Sequence, residues 1–485
     1  MSIIEQILSL LLDLVIAAFT FLFEFLEQLV SGVPKRKKQF NAEFISSGSL
    51  LSSSSSGFCL NGKSSLSIKD SYQNALVIGG TGTGKSSIVL IPSLFRMTSS
   101  FIVHDPSGEL FSKSSGYLKA RGYEVKVLNF ASQSVSAGYN PLARASTTSE
   151  IQKVASLLVR TSLGGEPKDP FWNTQATAVL TMLITILKTQ PAEFQNLYNV
   201  RQLLNQLGGN PEAVDKLFSR YAGDVLFAEY KSFIAYDQKV VSGIIATCKA
   251  ALQIFSDDSV ATVTSFDTLD FQEFRDHPVA LFIQNSVADQ KYYSVLTSLF
   301  FEQFFAFILG RFPKKEEQDV FLLIDEASSL CLPTLPLAVA NVRKHRAGIM
   351  LLLQDFAQLI HNYGRNDADA IKSNCFGKMY FTGQSHETTK ELESLLGKYE
   401  YLGEKGEKVV RPLMTNDEIR TIKSNRAILI CGNQKPILSR LRPFYKNRTF
   451  RSYSEIVPVG LESQVQSHVI PILELEHTKK DNAQA

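Results

Sequence analysis

Along most of this chain, apolar residues come in short blocks that end on polar side chains. Residues 75–78, 101–105, 279–284, 320–326, 349–354 and 378–382 each read as a buried strand whose end meets a polar residue. In open α/β sheets, ligands bind beyond such strand ends. From Thr147 to about Ser265 the period changes, and residues 151–159 and 174–187 repeat apolar side chains at helical spacing. Gly208-Gly209-Asn210-Pro211 punctuates that stretch, and strand-like runs return near Val279. The pattern predicts an α/β core over residues 57–146 and 271–453, an all-α insertion at 147–270, and a tail at 454–485.

The N-terminal 34 residues follow another pattern. Residues 3–30 are dense in Ile, Leu, Val and Phe, and Lys35-Arg36-Lys37-Lys38 follow directly. The longest uncharged run, Leu14 to Phe23, is ten residues, against the ~20 of a clean spanning helix. On a helical projection Gln6, Ser9, Asp13, Thr20, Glu24, Glu27 and Ser31 share one narrow stripe. A signal peptide is disfavoured, because the basic residues follow the apolar stretch. Three readings stand: an in-plane helix with an acidic polar face, a spanning helix whose stripe packs on copies of itself, and a soluble helix packed on a partner. If it spans, the basic cluster puts the remainder in the cytoplasm. Residues 35–56, basic and then serine-rich, read as a flexible linker or an exposed loop.

Composition narrows the classes. Hydrophobic residues are 44% and charged residues 20% of 485, which excludes wholesale disorder. Fifty Lys+Arg against 47 Asp+Glu leave a net charge of +3, so nucleic-acid binding would need a local basic patch. Cys59, Cys248, Cys331, Cys375 and Cys431 are scattered, which fits buried thiols in a reducing compartment and not a disulfide framework or zinc site.

The strongest chemical signal follows the run at 75–78. Gly79, Gly80, Thr81, Gly82, Thr83, Gly84, Lys85, Ser86 and Ser87 complete a GxxxxGK[ST] motif, with an apolar stretch behind it. Glycines let successive N–H groups curl around phosphates at a helix N-terminus. Lys85 is expected to neutralise the β/γ oxygens of ATP and Ser86 to ligate Mg²⁺. The run at 320–326 ends in Asp325 and Glu326, expected to hold Mg²⁺ and to polarise the attacking water. Gln354 ends another run and is a candidate γ-phosphate sensor, or an ordinary strand cap. His104 has a similar place and is read as structural.

Together these residues resemble the conjugative coupling ATPases of type IV secretion, the TraG/TraD type. The likeness rests on the phosphate loop, Asp105-Pro-Ser-Gly-Glu-Leu110, Tyr139-Asn-Pro-Leu142, Asp169-Pro-Phe-Trp172 and Leu323-Ile-Asp-Glu-Ala-Ser-Ser-Leu330. The block from Arg343 to Leu359, Tyr363-Gly364, and Gly383-Gln-Ser-His-Glu-Thr388 with Leu396-Gly397 extend it. It covers roughly residues 57–451. Ser107 stands where the family usually has Lys, and many relatives carry two N-terminal spans where this chain offers at most one. The resemblance implies a RecA-like P-loop NTPase core whose all-α insertion caps a homo-hexameric ring. It also implies a finger arginine reaching the neighbouring subunit's nucleotide, at Arg343 or, in competition, Arg346. The partners implied are single-stranded DNA with bound relaxase (the relaxosome) or a protein substrate, the type IV secretion channel, and the inner membrane.

Between Arg411 and Arg451 ten basic residues face two acids, with Phe444, Tyr445 and Phe450 interleaved. That suits single-stranded nucleic acid; a packed hairpin with solvated cations fits equally. Two rivals remain at this level. One is an FtsK/HerA-like DNA translocase of chromosome segregation or repair, which a duplex-reading C-terminal domain would favour. The other is a non-motor protein with a degenerate site, which intact Lys85, Asp325 and Glu326 oppose.

Overall fold

The computed structural model describes residues 15–16, 18–19, 22, 40–163, 170–286, 288–460 and 469–475. The N-terminal apolar segment thus lies, apart from five residues, outside the described residues, as does Asp169. Two compact units form, one from residues 1–43 and 393–414 and one from residues 44–392 and 415–485.

In the larger unit, nine strands make one sheet. In chain order these are β1 (Ala75–Ile78), β2 (Ser100–His104), β3 (Glu124–Asn129), β4 (Val279–Gln284), β5 (Val320–Ile324), β6 (Ala347–Leu353) and β7 (Gly377–Tyr380). The smaller unit's pair, β8 (Lys398–Leu402) and β9 (Lys408–Pro412), comes next in sequence, and β10 (Arg426–Cys431) and β11 (Ile437–Arg440) complete the large sheet. Its order is β11-β10-β7-β1-β6-β5-β2-β4-β3. From β7 to β3 all strands are parallel, while β10 and β11 close one edge as an antiparallel hairpin. β1, β2, β5 and β6 are buried along their whole length, as unbroken Val/Ile/Leu runs covered on both faces require.

β3 shows why alternation is an incomplete guide. It buries Val127 and Leu128 but also Lys126, 8% exposed, whose ammonium pairs with Glu273 and, at 3.1 Å, with Glu124. Between β3 and β4 every element is helical, including Thr148–Leu163, Pro170–Leu187, Leu197–Gly209 and Gln238–Ala251. Gly243 lets the last of these meet Trp172, since a Cβ there would lie 2.6 Å from the indole. Among the described residues one helix, Gln290–Gly310, is long and apolar enough to cross a membrane. It instead buries Phe300, Phe301, Phe304 and Phe305 between β4 and β5 in sequence, as a core helix does.

The serine run behaves as an exposed loop pinned in place. Leu51 is buried, Ser52 bridges Ser65, and Arg96 donates to the carbonyls of Ser52, Ser53 and Ser55. In the smaller unit, Phe40 and Ala42 hydrogen-bond to Glu400 and Lys398, so residues 40–42 flank the β8–β9 hairpin.

Candidate active site

β1 sits mid-sheet, and the Gly79–Lys85 turn leaves its carboxyl end, continuing into a π-helical turn Ser86–Leu90 and the helix Ile91–Arg96. Gly79 N–H donates to Leu353 O of β6 at 3.1 Å, which ties the loop to the neighbouring strand. Gly82 (φ +77°) and Gly84 (φ +91°) take the left-handed backbone that glycine alone adopts freely, and a Cβ on Gly84 would also meet Ile88 Cδ1 at 2.9 Å. No atom lies within 4 Å of where a Cβ on Gly80 or Gly82 would sit, so the turn has an open side. Among the described residues, the N–H groups of Thr81, Gly82, Gly84 and Lys85 have no protein acceptor. Thr83 closes the turn through Oγ1 to Gly80 O at 2.8 Å. Lys85 Nζ donates to Gly79 O and, at 3.3 Å, to Gly80 O. Burial lowers the Lys85 pKa, against the pull of Asp325 and Glu326.

Those two carboxylates leave the end of β5, one strand beyond β6. Burial pushes the Asp325 carboxyl up to about 6, although Lys85 acts in the opposite direction. Its Oδ1 accepts the Glu326 N–H at 3.0 Å. Glu326 is left-handed (φ 50°, ψ 46°), a strained backbone for a residue with a side chain. Ser329 holds that conformation by donating both N–H and Oγ to Glu326 O, at 2.9 and 2.8 Å. No protein group among the described residues binds the Glu326 carboxylate. Gln354 follows β6 directly and is exposed, one residue beyond the Leu353 carbonyl that anchors Gly79.

The two arginines lie at the opposite edge, where β6 begins. Arg343 is exposed, with one bond to Gln73 Oε1 at 3.2 Å. Arg346 is enclosed by its own chain: it pairs with Asp319 at 2.7 Å and donates to the carbonyls of Lys314, Lys315 and Glu317. Its backbone is also left-handed (φ 49°, ψ 47°).

Three residues that carried no role in the sequence prove close to the site. His104 Nδ1 donates to Asp325 O at 2.7 Å, because β2 pairs β5 with His104 opposite Ile324. The ring is fully buried, its Nε2 has no partner among the described residues, and burial lowers its pKa to about 4, which favours the neutral ring. Gln384 donates to Ile78 O and Phe381 O at 3.0 and 2.8 Å, clamping β1 to the chain after β7 beneath the loop. Asp105 accepts the N–H groups of Leu110 and Phe111 and starts the helix Glu109–Ala120; burial raises its pKa to about 6. Ser107 serves the same turn, accepting the Glu109 N–H at 3.3 Å. The strand ends were legible, but register across strands was not.

A cavity of about 700 Å³ opens at the same edge of the sheet, since β11 runs parallel to β7 through the antiparallel β10. Lys63, Arg440, Arg442 and Lys446 line it, and among the described residues no carboxylate does. Arg442 is oriented by the Lys446 carbonyl, 3.1 Å from Nε and 2.7 Å from Nη2.

Among the described residues no cluster of three or more His, Cys, Asp and Glu side chains forms a metal site. Ser86 and Asp325 carry oxygen donors of the kind that could hold a Mg²⁺, an ion that usually keeps several waters and takes few protein ligands.

Comparison with known proteins agrees with this geometry. The chain is 21% identical over 443 residues to protein VirD4 of Rhizobium radiobacter, covering 82% of this chain and 62% of that one. It is 22% identical over 391 residues to the conjugal transfer protein TraG of Escherichia coli, covering 71% and 61%. The chain thus spans about three fifths of the length of these curated relatives. Among solved structures, the plasmid coupling protein TrwB in complex with ADP and Mg²⁺ superposes with a TM-score of 0.66 at 19% identity, over 83% of this chain and 94% of that one. A sulphate complex of the bacterial conjugative coupling protein TrwBdeltaN70 gives 0.67, over 84% and 95%. The RecA-like α/β fold expected from the sequence is the fold observed. With the family model of type IV secretory system conjugative DNA transfer matching residues 30–469, the chain belongs to that family.

Proposed function

We propose that this chain is the coupling ATPase of a type IV secretion system, which hydrolyses ATP to drive relaxase-bound single-stranded DNA, or a protein substrate, into the secretion channel. One observation carries this most: the open phosphate-loop turn and Glu326, whose backbone is strained and whose carboxylate has no partner among the described residues, leave the same edge of the sheet. The donors of the turn would hold the phosphates, and Lys85 would leave the Gly79 and Gly80 carbonyls for the β/γ oxygens. Ser86 and Asp325 would hold Mg²⁺, which would supply positive charge to offset that of the phosphates. Glu326 would orient and polarise the attacking water, with His104 positioning the Asp325 backbone. Gln354, beside Gly79, would sense the γ-phosphate. Arg343, exposed and far from its own phosphate loop, would reach the neighbouring subunit's nucleotide in a homo-hexamer; Arg346 is held by too many bonds to do so. The segment at 147–270 would be the insertion that caps the ring, and the N-terminal helix would tether the ring to the inner membrane. The cations around Lys63 and Arg442 suit a DNA backbone, and exposed Tyr445 beside them suits a base.

ATP turnover with and without single-stranded DNA tests this. Wild type should hydrolyse ATP, faster with DNA, and Lys85→Ala should lose nucleotide binding or turnover. An assembled wild-type ring without turnover, even with DNA, rules the motor out.

A further inference from the structure

The helical segment between β3 and β4 holds part of the chain's own tail. Asn199, in the first turn of the helix Leu197–Gly209, is fully buried. Its Nδ2 donates to Pro471 O at 2.8 Å, and its Oδ1 accepts the Leu473 N–H at 3.0 Å. In an extended chain the carbonyl of one residue and the N–H two residues on point the same way, so one carboxamide grips the peptide as an adjacent strand would. Asn196 fixes the grip by accepting the Asn199 N–H at 2.9 Å. Half-buried Pro471, Leu473 and Leu475 alternate with exposed Ile472 and Glu474. Val469 and Ile472 turn apolar side chains to solvent, 85% and 52% exposed.

A buried amide with both polar ends directed at one peptide is left bare when that peptide leaves. Such a group reads backbone whatever the sequence, and the alternate side chains supply selection. Residues 470–475 also lie past the stretch matched by the family model. We propose that the Asn199 carboxamide and the helix surface around it are a binding site for an extended partner peptide with apolar residues at alternate positions, and that residues 470–475 are its built-in competitor. The partner gains the two Asn199 bonds only as the tail gives them up. This requires nothing of the nucleotide site.

Fluorescence anisotropy of a labelled synthetic peptide of residues 469–475, added to the full chain, tests the idea. Leu473→Pro removes the tail's own N–H, so that chain should bind the peptide at least about tenfold more tightly than wild type does. A peptide N-methylated at the leucine matching Leu473 should bind the Leu473→Pro chain about tenfold more weakly, while one carrying Ile472→Asp should bind unchanged. Because the N-methyl change is in the peptide, it tests the bond without disturbing the buried helix. Asn199→Ala in the Leu473→Pro chain should abolish binding, and Lys85→Ala should leave it intact. Equal affinity of wild type and Leu473→Pro, no binding to either, or indifference to N-methylation would overturn the proposal.

Discussion

Glu326 and Arg346 share one strained backbone at opposite edges of one sheet. Glu326 (φ 50°) follows β5 at its carboxyl end, and Arg346 (φ 49°) precedes β6 at its amino end. Around Arg346 the guanidinium is consumed by Asp319 and three carbonyls, and Arg275 donates to the carbonyls of Gln318, His345 and Arg346. Around Glu326, among the described residues, only the backbone is held and no group binds the carboxylate. A left-handed non-glycine residue costs on the order of 1–3 kcal/mol wherever it occurs. The conformation alone therefore does not mark chemistry. The difference lies in whether the side chain it directs is already satisfied.

Substitutions can sharpen or break this contrast. The largest expected effect is at Glu326→Gln, where turnover should fall about 10³-fold while ATP binding persists; normal hydrolysis would remove its assignment as base. Next, Arg346→Ala should cost about 3 kcal/mol in chemical denaturation by leaving Asp319 and several carbonyls unpaired. Arg343→Ala should stay within about 0.5 kcal/mol of wild type yet lower turnover of assembled rings. Equal destabilisation by both would erase the distinction drawn between the two arginines. A pH-dependent effect concerns Asp325, whose pKa of about 6 exceeds the ordinary 3.8. Its charge therefore destabilises the fold fully above pH 6 and not at all once both states are protonated, below about 4. Asp325→Asn should stabilise by about 1–2 kcal/mol at pH 7.5, by thermal melting, with the gain gone near pH 4.

Motifs made by consecutive residues were legible: the phosphate loop needs its glycines in order, and the acid pair ends an unbroken apolar run. The strands β1, β2, β4, β5, β6 and β7 could be read for the same reason. β3 was hidden because Glu124 and Lys126 interrupt its apolar pattern, and one of the two carboxylates that make Lys126 tolerable inside, Glu273, lies far along the chain. His104 and Gln384 could not be recognised, since their roles depend on which strands become neighbours. Nor could the segment 343–346 rank its own arginines; the carbonyls that claim Arg346 come from a separate turn at 314–317.

β6 is paired on both sides and has no exposed residue from Ala347 to Leu353. It works as a stiff rod of about 23 Å with Gln354 at one tip and the arginine-bearing turn at the other. Slack is absent, so a pull on the tip beside Gly79 cannot fade along the way. It must either displace the far turn or unzip two ladders at once, and displacement is much the easier of the two.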